Sequence, residues 1–208
     1  METKFVAAAR KTGREEFVTN GQSVGHLLVD YWAWAYSDLV NNVDRGKLAE
    51  FIVSSALGAA DGVSATWDKF DILYRGSGIE VKSSSYLQSW AQEKESPIGF
   101  AVRPTVAPIA NTATYDDVRK RQSDVYVFCL LKHKDKLTLD ALNLDQWEFY
   151  VVPTALLDKL IPTQKTIVLS FMRKHNIAPC GYSEIKMCVD NIINDLSKKS
   201  GDLQVVSK

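Results

Sequence analysis

Between Phe70 and Lys82, apolar and charged side chains alternate with a period of two on either side of Arg75-Gly76-Ser77, and this pattern reads as a tight β-hairpin. With the turn at Gly76-Ser77, Arg75 faces Gly78, Tyr74 faces Ile79, Ile72 faces Val81 and Asp71 faces Lys82. Opposed residues share a face of the pleat. Phe70, Ile72, Tyr74, Ile79 and Val81 then form an apolar side, while Asp71, Leu73, Glu80 and Lys82 form the other. A slip of one residue would mix the two sets, so the pattern itself argues for this register. Two carboxylates and an ammonium are gathered on one side of a hairpin whose other side is core. Such an oxygen-rich cluster is the outline of a hard-cation site.

At 208 residues and 23.2 kDa, the chain is sized for one substantial domain. Apolar residues at 46% and charged residues at 24% fit a globular protein rather than a disordered one. No apolar run approaches the roughly 20 residues that span a bilayer, and the N-terminus lacks a secretory h-region, so a cytoplasmic location away from membranes is expected. Cys129, Cys180 and Cys188 are odd in number and have no metal-type spacing, and they read as reduced, largely buried thiols. The 25 basic and 25 acidic residues balance, which counts against a passive nucleic-acid coat protein. The balance leaves room for an enzyme acting on nucleic acid, where metal-binding carboxylates offset local basic patches.

From Ser23 to Val40, Leu27, Val29, Tyr31, Trp32, Trp34 and Leu39 recur at helical spacing and predict a buried helix, with the Tyr31, Trp32, Trp34 and Tyr36 cluster in the core. Asn41-Asn42 breaks it, and Asp44 is the expected N-cap of a second helix through Leu57, closed by Gly58. Its apolar stripe reads Leu48, Phe51, Ile52 and Ala56, with Glu50 at the edge beside Lys47 and Ser54. Beyond the hairpin, Tyr86–Gln92 suits a short helix and residues 93–117 a long connection. Asp124–Leu131 is a nearly continuous apolar run suited to a central strand buried on both faces. A strand at Gln146–Val152, a helix at Ala155–Leu160, a strand at Thr166–Leu169 and a helix capped by Ser183 follow. Together these predict one α/β domain over 1–208, with an N-terminal helical segment to about residue 43 and a core over about 44–200.

The helix-borne Glu50, then Asp71, then Glu80-Val81-Lys82, resembles the active-site pattern of the PD-(D/E)xK nuclease superfamily, the fold of type II restriction enzymes and archaeal Holliday-junction resolvases. The likeness covers about residues 44–92. It implies a restriction-endonuclease-like αβββαβ core, a mixed central sheet flanked by helices. It also implies that Asp71 and Glu80 ligate Mg²⁺ (with Mn²⁺ able to substitute), that the Val81 carbonyl adds a ligand, and that Lys82 acts on the attacking water. Glu50 would join the metal shell directly or through water. Phe70 stands where many members have proline, and Gln88 where many carry a glutamine. A second Glu-x-Lys, Glu184-Ile185-Lys186, lies in a helical pattern with no aspartate-bearing strand before it.

The chemistry is coherent without the family. Phosphodiester hydrolysis needs an activated water and stabilisation of charge on phosphate oxygens, and a hard cation held by carboxylates supplies both. A lysine two residues from a ligating carboxylate on the same strand points the same way and can steady the developing charge. The expected activity is Mg²⁺-dependent hydrolysis of DNA, with a homodimer as a possible assembly. The alternatives are a catalytically silent DNA-binding or assembly module of the same fold, and an interaction protein whose charged hairpin is incidental. Gln88, Arg119-Lys120-Arg121 and Lys132 are candidate DNA contacts, though short basic runs serve equally as solvated loops.

Overall fold

The computed structural model describes residues 6–64, 69–107 and 114–205, with side chains to Lys198. In chain order the elements are β1 (Glu16–Thr19), β2 (Gln22–Leu27), α1 (Leu28–Tyr36), α2 (Asn42–Leu57), β3 (Ile72–Tyr74) and β4 (Ser77–Ser85). They continue with β5 (Gly99–Ala101), β6 (Val125–Leu131), β7 (Trp147–Pro153), α3 (Thr154–Leu160), β8 (Thr166–Val168), α4 (Leu169–Lys174) and α5 (Ile185–Val205). A four-stranded sheet of order β3-β4-β6-β7 lies at the centre. Its β3/β4 and β6/β7 pairs are antiparallel and its β4/β6 pair parallel, so the fold is mixed α/β with a mixed sheet and flanking helices.

All seven residues of β6 are buried, as the continuous apolar run requires. Alternation along β6 sends Val125, Val127, Cys129 and Leu131 to a core shared with Ala49, Ile52 and Val53 of α2 and with Ile185, Val189 and Ile193 of α5. Tyr126, Phe128 and Leu130 face a second core with Phe100 of β5, Leu157 of α3, Ile167 of β8 and Met172 of α4. The strand pair β5/β8 therefore covers the sheet face that α2 leaves open. Residues 93–117 had read as connection alone, and β5 was not foreseen within them.

The N-terminal segment differs from the helical expectation. Residues 22–27 form β2, which pairs with β1 across Asn20-Gly21, both at positive φ (50° and 76°) as a two-residue hairpin turn favours. The helix starts only at Leu28, and Leu27 is still extended at φ −104° and ψ 161°. The aromatic cluster is not core: Trp34 is 84% exposed, and Tyr31, Trp32 and Tyr36 are also exposed. Helical spacing does not by itself mean burial: among the described residues no side chain of this helix joins either hydrophobic core, and Gly13 packs against Trp32 and Val29.

The α2 cap is Asn41, whose side chain accepts from the Val43 and Asp44 backbone N–H groups at 3.0 Å each. Asp44 instead sits in the first turn, where its negative charge suits the helix dipole. At the other end Gly58 takes φ +68° and donates to Ser55 O at 3.1 Å. The buried stripe is Arg45, Ala49, Ile52, Val53 and Leu57, rotated from the expected one, and Phe51 is exposed. Tyr86–Gln92 is not helical: Gln92 accepts the Gln88 backbone N–H at 2.6 Å and donates to Tyr86 O at 3.3 Å, stapling an irregular loop. Among the described residues, no helix is long and apolar enough to cross a membrane.

Candidate active site

The hairpin turn is Arg75-Gly76, one residue earlier than expected, with φ +50° and +79°. A two-residue turn with both central residues at positive φ favours glycine second, and Gly76 supplies it. Ile72 therefore pairs with Ile79 and Tyr74 with Ser77, two residues out of the expected register. A shift of two keeps every strand residue on its expected face. It does bring Asp71 next to Glu80 rather than Lys82, and the Asp71 backbone N–H donates to Ile79 O at 3.1 Å. Phe70 precedes the strand and leaves the alternation. It is only half-buried, and its ring lies over Gly78, where an added Cβ would meet it at 2.4 Å.

Both ends of the hairpin are clamped. Arg75 donates to Asp190 of α5 at 2.7 Å, Tyr74 Oη to the same carboxylate at 3.1 Å, and Lys186 to its other oxygen at 2.8 Å. The second Glu-x-Lys is thereby absorbed into structure, since Glu184 accepts the Gly181 N–H at 2.8 Å while Lys186 serves the clamp. At the start of β4, Gly78 N–H donates to Asp124 Oδ2 at 2.9 Å, and Asp124 N–H to Gly78 O at 2.7 Å.

On this scaffold, three oxygens surround one ammonium. Lys82 Nζ lies 2.5 Å from Glu80 Oε1, 3.1 Å from the Val81 carbonyl and 3.8 Å from Asp71 Oδ2. Asp71 Oδ2 also accepts the Val81 backbone N–H at 2.7 Å. These are the oxygens that the sequence pattern assigned to a cation. Among the described residues, no three His, Cys, Asp or Glu side chains are grouped so as to hold a metal ion as they stand. The donor set of two carboxylates and a carbonyl suits a hard divalent ion, and such an ion needs the ammonium to withdraw.

Burial, followed by the neighbouring Asp71 charge, pushes the Glu80 carboxyl up, while Lys82 pulls it back. Burial lowers the Lys82 ammonium, but Glu80 and Asp71 together outweigh it and the net shift is upward. Lys82 is therefore charged at neutral pH. Tyr126, the parallel neighbour of Glu80 on β6, is pushed up to about 12 by burial and then by the Glu80 charge.

The site opens on two clefts. One, of about 370 Å³, is lined by Glu50, Lys47, Phe70 and Asp71. Here Glu50 Oε2 takes Lys47 Nζ at 2.5 Å and Ser64 Oγ at 3.4 Å, and the Glu50 charge reaches both Glu80 and Lys82. The other, of about 220 Å³, is lined by Lys69, Glu80, Lys82, Arg103, Thr105, Gln122 and Tyr126. Of this second group the sequence pointed only to Glu80 and Lys82. Arg103 and Tyr126 reach the cleft through the β5 cover and the β4/β6 pairing, neither of which leaves a local motif.

Two candidate DNA contacts turn inward. Arg121 is buried, donating to Val102 O at 2.7 Å, Asp158 Oδ1 at 2.5 Å and Ile161 O at 2.8 Å, and it staples β5 to α3. Gln88 is buried beside Arg45 and donates to Ser85 O and Ser96 Oγ at 3.2 Å each. Neither has polar atoms to offer a phosphate. Arg119 and Lys120 are exposed, and among the described residues Lys132 makes only a 3.4 Å ion pair with Glu148, itself partly exposed.

No protein-family profile, curated protein or solved structure matches the chain.

Proposed function

We propose that the protein is a metal-dependent deoxyribonuclease with a restriction-endonuclease-like core, acting as an endonuclease on DNA. The observation that carries this reading is the convergence of Asp71 Oδ2, Glu80 Oε1 and the Val81 carbonyl on a single cationic point beside an open cleft. Side-chain and main-chain oxygens gathered around one position, next to a lysine on the same strand face, are what hydrolysis of a phosphodiester needs. The αβ order from α2 through β3, β4 and β6 supports the fold assignment by likeness alone.

Asp71, Glu80 and the Val81 carbonyl would hold Mg²⁺, with Glu50 able to contribute from α2. Bound there, the ion would polarise a phosphate oxygen and lower the pKa of a coordinated water. Lys82, released from the carboxylates, orients the attacking water and offsets charge on the phosphate. Asp71 orders the site even without an ion, because its bond to Val81 N–H fixes the carbonyl-bearing residue. Arg103 and Lys69 bring positive charge to the second cleft, where the flanking backbone of a DNA strand fits.

The test is incubation of the purified chain with plasmid, linear duplex, single-stranded and branched DNA in Mg²⁺ or Mn²⁺, with Asp71→Asn as control. Cleavage by wild type that the control abolishes is the expected result. If all four DNAs stay intact, the nuclease reading falls, and salt-sensitive binding without cleavage would favour the silent-module alternative.

A further inference from the structure

The two clefts beside the Lys82 cluster differ in kind. Among the described residues, the smaller one sets Lys69, Lys82 and Arg103 against the single carboxylate of Glu80. An excess of cations suits a phosphate backbone. The larger one, which opens past Asp71, sets one cation against the two carboxylates of Glu50 and Asp71. That cation, Lys47, is already held by Glu50 and by Ser64 Oγ at 3.0 Å. At the rim Arg10 donates to the Ala60 carbonyl, also at 3.0 Å. Such a lining does not suit a phosphate.

What the larger cleft offers instead is apolar surface. Phe51 and Leu73 line it together with Val63 and Phe70, and they are 57% and 63% exposed. Neither Phe51 nor Leu73 belongs to a hydrophobic core, so the packing of the fold does not account for them. Each stands beside a carboxylate of the site. Phe51 follows Glu50 on α2, and Leu73 lies two residues along from Asp71, on the same side of the edge strand β3. At about 370 Å³ the cleft falls within the roughly 300–1,000 Å³ range of small-ligand pockets, with room for a base and its sugar.

We propose that the larger cleft receives an unpaired base of the strand being cut, so that the substrate is single-stranded or branched DNA with an unpaired nucleotide at the cut. This rests on the nuclease reading above. The cleft shares Asp71 with the oxygen cluster, which places a nucleotide next to the cut phosphate against its walls and favours a base over a peptide side chain as occupant. A planar ring resting on Phe51 and Leu73 is the sequence-tolerant contact that single-strand sites use. In a duplex that base is stacked and paired and has to be flipped out first, a cost that an unpaired nucleotide avoids. The strand then runs from the cationic cleft, across Glu80 and Asp71, into the apolar one.

The experiment follows binding and cleavage of one short labelled strand, alone, splayed from its complement at one end, and fully paired. Binding is read by fluorescence anisotropy in Ca²⁺, which fills an oxygen site with looser geometry than Mg²⁺. Cleavage is read in Mg²⁺ and Mn²⁺. Wild type is expected to bind and cut the single strand and the splayed form at least about tenfold better than the full duplex, with the cuts in the unpaired part. Phe51→Ala and Leu73→Ala are each expected to weaken single-strand binding about fivefold and leave duplex binding as it was. Both side chains are exposed, so the urea midpoints of the two variants should match wild type. Equal cutting of the full duplex, or a single-strand preference untouched in both variants, overturns the proposal and leaves the nuclease reading standing. A single-strand preference that both variants erase, with no DNA cut, supports the cleft as a base seat and removes the nuclease reading. No binding and no cutting with any of the three overturns both.

Discussion

Asp71 accepts the backbone N–H of Val81 at 2.7 Å, taking the place in the ladder that β3 leaves unfilled by starting only at Ile72. One carboxylate thus both completes the sheet edge and stands beside the cluster around Lys82. Asp71→Ala is expected to lose cleavage and also about 1–3 kcal/mol of stability, since it strands a half-buried N–H. Asp71→Asn keeps an acceptor oxygen and is expected to unfold near wild type in urea while losing cleavage. Equal stability for both variants would show that the Asp71–Val81 bond contributes nothing to folding.

Lys82 and Glu80 have opposed effects that can be separated by pH. The Glu80 carboxyl lies above its ordinary 4.5 through burial and then Asp71, with the Lys82 ammonium partly restoring it. A raised carboxyl favours the folded protein in its protonated form, so that contribution is complete below 4.5 and lost as pH rises through the raised value. Divalent-ion binding needs the ionised form and is expected to strengthen over the same interval. Lys82→Met removes the restoring charge, so the midpoint for Mn²⁺ binding should move to higher pH, with binding at neutral pH retained and cleavage abolished. Calorimetry showing metal affinity lost with cleavage at every pH would make Lys82 a structural residue.

The clamp at the turn is a purely structural test. Asp190 is drawn down to about 2 by Lys186 and Arg75. A depressed carboxyl adds stability above its unfolded value of 3.8 that is lost as pH falls through about 2. The Asp190 side chain is 23% exposed and its lysine and arginine partners about half exposed, so solvent screens the cluster and Asp190→Asn is expected to cost about 1 kcal/mol at neutral pH. That difference from wild type should shrink in urea titrations as pH falls through about 2. Cleavage should persist, because the clamp touches the turn and not the carboxylates.

The hairpin was legible because a period of two is a local signal, and because an error of two residues in register leaves the faces intact. That is why Asp71, Glu80 and Lys82 were brought together although the turn was misplaced by one residue. The β6 run was legible for a similar reason, since seven apolar residues in sequence need two covered faces. The fate of Gln88 and Arg121 was not, because a polar side chain carries no mark of whether its partner is a phosphate or a carbonyl from a distant loop. Tyr31 to Tyr36 misled in the opposite sense: aromatic spacing reports a helix but not what, if anything, lies over it. Phe70 shows the limit of alternation, which ends where the chain bends ahead of Ile72.

Gln88 and Lys132 should separate under salt. Gln88→Ala removes an acceptor of the buried Arg45 guanidinium, whose Nε already has no partner among the described residues. The expected cost is about 1–3 kcal/mol in unfolding, with the salt dependence of DNA binding unchanged. Lys132→Ala should leave stability nearly as it was and reduce the slope of log affinity against log salt by about one. A changed slope in the Gln88 variant would return that residue to the DNA surface.

Arg103 provides the last test, on the second cleft. It is exposed, lines the cleft beside Glu80 and Lys82, and has no hydrogen-bond or ion-pair partner among the described residues. A guanidinium with no partner among the described residues, beside the proposed hydrolytic site, suits a bidentate grip on a phosphate next to the one to be cut. Arg103→Ala is expected to weaken duplex binding, lower the salt slope by about one, and slow cleavage about tenfold, without moving the urea midpoint or Mn²⁺ affinity. Arg103→Lys should restore the salt slope, because it restores the charge, but only part of the rate, because a point charge lacks the planar fork. If both variants cut and bind as wild type does, the DNA does not pass through this cleft, and the strand would instead have to follow the cleft between Glu50 and Asp71.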